Sequence, residues 1–397
     1  MRARARHRRR RLGSRRPAAD RAVLSGAADR AARPQPRHRW LDGATPRAAT
    51  SCAAASADVP RADTRSVWRH VQLGRRLISG GSRQGRVTIA RMTEQPAQKP
   101  GPRATELAGG RVSEIVIVQA LDTLHDVATG RILADYIEPL LLQNPVGLRL
   151  RFVEIEHAKQ FVELVSGLAA DAARGRIPLL HVECHGDEDH GLEFPNGSML
   201  SWSELGSTLE SLNRATRFNL VTVFSACYGA HSVGQAEAVE PAPFWFMAAP
   251  TSVADPAEIM AGMREFYRVL IETLDLGQAS NALMACPLEQ GRWYPVAAQI
   301  WFMRIAEGYF ETLCTEEATM KRVADLLLRK PADGKDVGPG RLRRIMRQQN
   351  RTTLTGRYFD TFFMVSDFPE NAARFHGVRV ELEATLQTLR KAGRHVL

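Results

Sequence analysis

Residues 179–186 read LLHVECHG and residues 220–229 read LVTVFSACYG, and these two runs decide how the chain is organised. Each begins apolar and ends in a turn of small residues that carries one reactive side chain, His185 in the first and Cys227 in the second. An apolar run bounded by turn residues is the pattern of a strand buried on both faces. Residues 115–118 (IVIV) and 244–249 have the same character, and 148–155 is a further strand, which completes a set of five.

Helical patterns lie between the strands. Residues 129–138 form one candidate helix, stopped by Pro139 and then by Asn144-Pro145. Phe161, Leu164, Val165, Leu168 and Ala172 recur at helical spacing before Gly175. Asn196-Gly197 marks a hairpin within 191–200. Ser201 and Glu204 make a capping box ahead of Trp202, Leu205, Leu209 and Leu212. Asp255-Pro256 opens a helix whose Ile259, Met263, Phe266, Tyr267 and Leu270 form one stripe. Alternating apolar strands and amphipathic helices predict an α/β fold: three α/β/α layers around a mostly parallel sheet. Active sites in such sheets gather at the carboxyl ends of the strands.

The flanks differ from this centre. The net charge of +11 over 397 residues belongs to one end. Residues 1–91 hold 23 Arg, no Lys, no Glu and five Asp, a balance of +18, whereas 92–397 carry −7. Such a segment suits a phosphate-binding arm, a transit peptide, or upstream DNA read through a true start at Met92, where Glu and Lys first appear; the last reading is preferred. Residues 93–111 (TEQPAQKPGPRATELAGGR) read as a linker. After the core, 296–330 reads as one long helical stretch, 358–365 (YFDTFFMV) as strand-like, and 379–391 as a last helix. Residues 321–351 carry ten basic and three acidic side chains and read as a solvated face. The expected division is therefore 1–111 disordered, 112–310 the α/β domain, and 311–397 a smaller, mainly helical region.

No run approaches the ~20 apolar residues a bilayer span needs. Cys52, Cys184, Cys227, Cys286 and Cys314 are odd in number and lack CxxC spacing, which fits a reducing, cytoplasmic setting better than a disulfide framework.

The chemistry points to the two strand ends. A thiol needs a base to become a nucleophilic thiolate, and a His on the neighbouring strand end can supply it. Backbone N–H groups in Gly-containing turns at 186 and at 227–229 suit an oxyanion. His181, Cys184, His185 and His190 raise a zinc alternative, but on a strand His181 and His185 share one face and Cys184 takes the other, so no metal site is expected. A lone strand-end Cys is most often a small core residue, the reading assigned to Cys184.

An apolar strand ending in His-Gly, followed by one ending in Ala-Cys, resembles the caspase-like peptidases, whose motif is Q-A-C-[RQG]-G with a His roughly 50 residues upstream. Here the motif is S-A-C-Y-G, with the His 42 residues upstream. The intervening HGDEDHGLEFPNGSMLSWSEL, and FYRVLIETLDLGQASNALMA at 266–285, resemble the bacterial CHAT branch. The resemblance spans roughly 180 residues and reaches neither 1–91 nor the region after about 310. It implies a cysteine peptidase that cleaves a protein substrate through an acyl-enzyme, with catalytic His185 and Cys227, an oxyanion hole at Gly186 and Cys227, and no cofactor. It also implies substrate-lining roles for Ser225, where caspases have Gln, and for Asp122, and a setting beside a regulatory protein partner in conflict or cell-death systems. Asp122 with Asp187, Glu188 and Asp189 would favour Lys or Arg before the cleaved bond. The alternatives are an inactive caspase-like interaction module and a nucleic-acid binder working through Arg-rich ends.

Overall fold

The computed structural model describes residues 105–107, 109–236, 238–328, 338–393 and 395–397. The expectations for the Arg-rich segment and for a start at Met92 lie outside these residues.

Two short strands, β1 (Thr105–Leu107) and β2 (Gly110–Val112), pair antiparallel at the entry. The expected linker therefore ends before residue 105. Gly109 adopts φ +91°, and a Cβ on Gly110 would run into the Trp245 ring, so the two glycines let this hairpin lie flat on the core. Next come β3 (Glu114–Ala120), α1 (Thr129–Gln143), β4 (Arg149–Glu154), α2 (Ala158–Ala173), β5 (Pro178–Asp187), β6 (Gly191–Glu193), β7 (Met199–Leu200) and α3 (Trp202–Ala215). The α/β part closes with β8 (Val221–Ser225), a 3-10 turn at Gly229–Gln235, β9 (Phe246–Ala248), α4 (Pro256–Thr273), α5 (Leu276–Met284) and β10 (Val296–Ala297).

The main sheet runs β10-β9-β8-β5-β3-β4, parallel throughout except at β10. Its central strands are buried along their length, because helices cover both faces. The expected α/β class with a mostly parallel sheet is the one observed. Ser201 and Glu204 form the expected capping box, and Asp255 caps α4 with Pro256 behind it.

Three expectations fail for identifiable reasons. Helix α1 runs through Pro139 to Gln143. Pro139 sits on the exposed side, while Leu133, Ala134 and Ile137 are buried and hold the helix across the lost bond. The stretch 296–330 is two helices, α6 (Ala298–Leu313) and α7 (Glu316–Leu328), because Thr315 pairs with His395 and its hydroxyl accepts the Ala318 N–H to start a new helix.

The segment 358–365 is not a strand. A π turn (Leu354–Tyr358) leads into α9 (Phe359–Phe362). Phe359, Phe362 and Phe363 recur at i, i+3 and i+4, a helical period that outweighs the β-propensity of aromatics. The chain also includes α8 (Pro339–Thr352), α10 (Glu370–Arg374) and α11 (His376–Ala392).

The hydrophobic core continues without interruption into this C-terminal part. Phe302 of α6 meets Phe359, Phe362 and Phe363 at ring separations of 5.9, 5.1 and 5.2 Å, and Phe218, next to β8, meets Phe363 and Phe375. Among the described residues no helix is long and apolar enough to cross a membrane.

Candidate active site

Strands β5 and β8 are parallel neighbours in register from Leu179↔Val221 to Glu183↔Ser225. His185 lies two residues past the last rung on one strand, and Cys227 two past it on the other. Because side chains alternate along a strand, both continue the face that carries His181, Glu183 and Ser225, the face under α1 and α4. After Cys184, β5 leaves the main sheet and pairs with β6, His185 opposite Glu193 and Gly186 opposite Leu192. Strand β8 ends in a tight turn in which Tyr228 takes a left-handed φ of 58°.

Gly186 brings the two ends together. A Cβ there would overlap the Cys227 carbonyl oxygen and lie 3.1 Å from its carbon and 3.3 Å from its nitrogen. Only a residue without a side chain permits this approach of backbone to backbone. The Cys227 thiol is partly exposed, 4.0 Å from the Ala254 carbonyl. The N–H groups of Tyr228, Gly229, Ala230 and His231 are all taken by backbone carbonyls. Among the described residues the Cys227 N–H makes no hydrogen bond, which leaves it available to an oxyanion.

His185 is held from the loop after β3. Its Nε2 lies 2.9 Å from Asp126 Oδ2. That same oxygen accepts the Asp122 N–H, and the Asp126 N–H returns to the Asp122 carbonyl, closing a one-turn loop. Sequence reasoning singled out Asp122 of this loop, as a substrate-lining residue, and did not single out Asp126, four residues later. The only available signal was the rule that strand-end loops carry sites, and it does not say which acid faces the His.

The other candidates are placed as follows. Asp122 points back into its own loop, 2.6 Å from His125 Nδ1 and 3.0 Å from the Leu124 N–H, and these bonds hold its carboxyl below the usual range. Asp187 is treated alike by His190 at 2.7 Å and by two backbone N–H groups. Asp122 and Asp187, two of the four acids expected to favour Lys or Arg, are thus already engaged locally. Ser225 does not reach the surface. It is 4% exposed, and its Oγ is 3.1 Å from His181 Nε2, because the last rung of the sheet places it beneath the strand ends that carry His185 and Cys227. His181 also meets Glu183 at 2.7 Å and the Tyr267 hydroxyl at 3.0 Å, while Thr129 donates to the other Glu183 oxygen. This buried polar network ties β5 and β8 to α1 and α4 just below the candidate site.

Cys184 faces the opposite layer, with its Sγ 2.9 Å from the Glu193 carbonyl, and burial raises its thiol well above the ordinary range. Among the described residues no group of three His, Cys, Asp or Glu side chains is arranged to hold a metal ion.

The sequence matches no family model and no curated protein. Solved structures are similar, among them a caspase. It is the crystal structure of caspase-1 from Spodoptera frugiperda, 12% identical with a TM-score of 0.34, the match covering 52% of this chain and 94% of that one. A likeness so distant carries nothing about activity.

Proposed function

We propose that the chain is a cysteine peptidase that cleaves peptide bonds in a protein substrate, with Cys227 as nucleophile and His185 as its base. The observation that carries this reading is the contact of Gly186 with the Cys227 backbone, which brings the two strand ends together two residues past a shared rung. His185 takes the thiol proton, and the thiolate adds to the carbonyl of the scissile bond. The developing oxyanion is received by the Cys227 N–H and by the backbone at Gly186. The proton then passes from His185 to the leaving amine, and water releases the acyl group. This chemistry uses neither a metal nor an organic cofactor. Membership of the caspase-like CHAT branch, a cytoplasmic setting and a regulatory protein partner belong to the same proposal.

The test compares protein ends in cells that express the native chain with those that express Cys227→Ala. Cleaved ends should accumulate only with the native chain. A thiol-directed peptidyl probe should label Cys227 and leave Cys184 untouched. If no ends differ and the probe ignores Cys227, the chain is an inactive interaction module instead.

A further inference from the structure

Among the described residues Asp126 is the one acidic side chain that reaches His185, and the peptidase reading does not use it. Its Oδ2 lies 2.9 Å from the imidazole Nε2. A carboxylate accepts but does not donate, so in the neutral imidazole this contact puts the proton on Nε2 and leaves the lone pair on Nδ1. A base that must take a proton from a thiol needs one ring nitrogen in that state. The Asp126 side chain is 27% exposed and that of His185 56%, so the pair contributes little to stability as an ion pair. Its carboxylate makes no ion pair with Lys or Arg among the described residues. The loop is built to hold it there: the Asp122 N–H donates to the same oxygen and the Asp122 carbonyl accepts the Asp126 N–H, while the Asp122 side chain is occupied with His125 and Leu124.

We infer that Asp126 is the positioning residue of the dyad, fixing His185 in the Nε2–H tautomer so that Nδ1 faces Cys227. The inference rests on the peptidase reading and adds a third member to it. The thiol proton moves from Cys227 Sγ to Nδ1, and the imidazolium that forms keeps its Nε2 proton hydrogen-bonded to Asp126. On collapse of the tetrahedral intermediate, the Nδ1 proton leaves with the amine and the ring returns to the same tautomer. Asp126 acts through His185 and touches no substrate.

Two readouts on the full chain test this without a known substrate. The first is the rate at which iodoacetamide alkylates Cys227 at neutral pH, followed by peptide mass spectrometry. The second is the pair of ¹⁵N shifts of the His185 ring, which report which nitrogen bears the proton. Asp126→Asn keeps an oxygen for the Asp122 N–H but can equally donate to Nε2, so it no longer selects the tautomer. It should slow alkylation by about tenfold to a hundredfold, no more than the lower end of the ~10²–10⁴-fold that a positioned acid–base group itself contributes, and mix the two tautomers, with the unfolding midpoint unchanged. Asp126→Glu should restore the Nε2–H signature and most of the rate. His185→Ala should slow alkylation at least as much as Asp126→Asn. If Asp126→Asn alkylates at the native rate and keeps the native shifts while His185→Ala is slow, the positioning role falls and the dyad stands. If His185→Ala alkylates at the native rate, the dyad falls, and the role of Asp126 with it.

Discussion

At the scale of single residues, the site depends on one missing side chain and one buried network. Gly186 is a glycine because the Cys227 carbonyl occupies the space its Cβ would fill, and backbone cannot swing aside as a side chain can. Gly186→Ala should therefore force the two strand ends apart. The expected cost is about 1–3 kcal/mol, as for other overpacked positions, read from the midpoint of denaturant unfolding, together with loss of Cys227 labelling in the folded protein. Retained labelling at the native rate would show that the approach is not needed. Beneath the site, His181 serves Glu183, Ser225 and Tyr267 at once. His181→Leu leaves the 2%-exposed Glu183 with Thr129 alone, and stranding one member of a buried pair typically costs about 3–5 kcal/mol. Calorimetry showing no loss would mean that the network is not a structural support.

Elements decide where these residues go. Strand β5 changes partner after Cys184, leaving β8 for β6, and that change exposes His185 while Cys184 stays buried. The Trp202 indole donates to the carbonyls of Asp187 and Glu188, and the His231 ring to that of Glu188, so the turn after His185 is anchored by α3 and by the turn after Cys227. Helix α1, whose approach loop supplies Asp126, tolerates Pro139 because its inner face is packed. Pro139→Ala should restore a bond to the Asp135 carbonyl and remove a steric clash. Weighing helix propensity against the added freedom of the unfolded chain, a gain of about 2 kcal/mol is expected, visible as a rise in the unfolding midpoint with Cys227 reactivity intact. A fall in stability would mean that the proline is relieving strain at the Asn144 end.

For the molecule as a whole, the C-terminal helices belong to the core. Phe363 is fully buried and meets Phe218, Phe302, Phe359, Phe362 and Phe375. Arg374 reaches back to the Phe218 carbonyl and lies over Trp245, and burial lowers its guanidinium to about 10. Removal of residues 311–397 would expose the inner faces of α6 and of the residues flanking β8. The shortened chain should lose its cooperative unfolding transition rather than fold as an independent peptidase, and Phe363→Ala alone should cost about 3–5 kcal/mol. A soluble, cooperative fragment ending at 310 would refute this.

The sheet was legible in the sequence because its central strands are apolar on both faces and α3 and α4 carry their own caps, signals that local chemistry writes directly. His185, Gly186 and Cys227 stood out in the sequence as a candidate set because each stands where an apolar run stops. Asp126 did not, since which side chain of the loop after β3 reaches His185 depends on which way that loop closes. Ser225 was read as lining a pocket because a motif gives position in sequence but not depth, and depth here follows from the rung it shares with Glu183. The aromatic run at 358–365 carried a helical period that strand propensity obscured, and packing against Phe302 and Phe218 decided it. Local sequence determined the elements and delivered a His and a Cys to strand ends. The tertiary structure decided which strand lay beside which, and so which groups meet, because that depends on contacts between residues far apart in the chain.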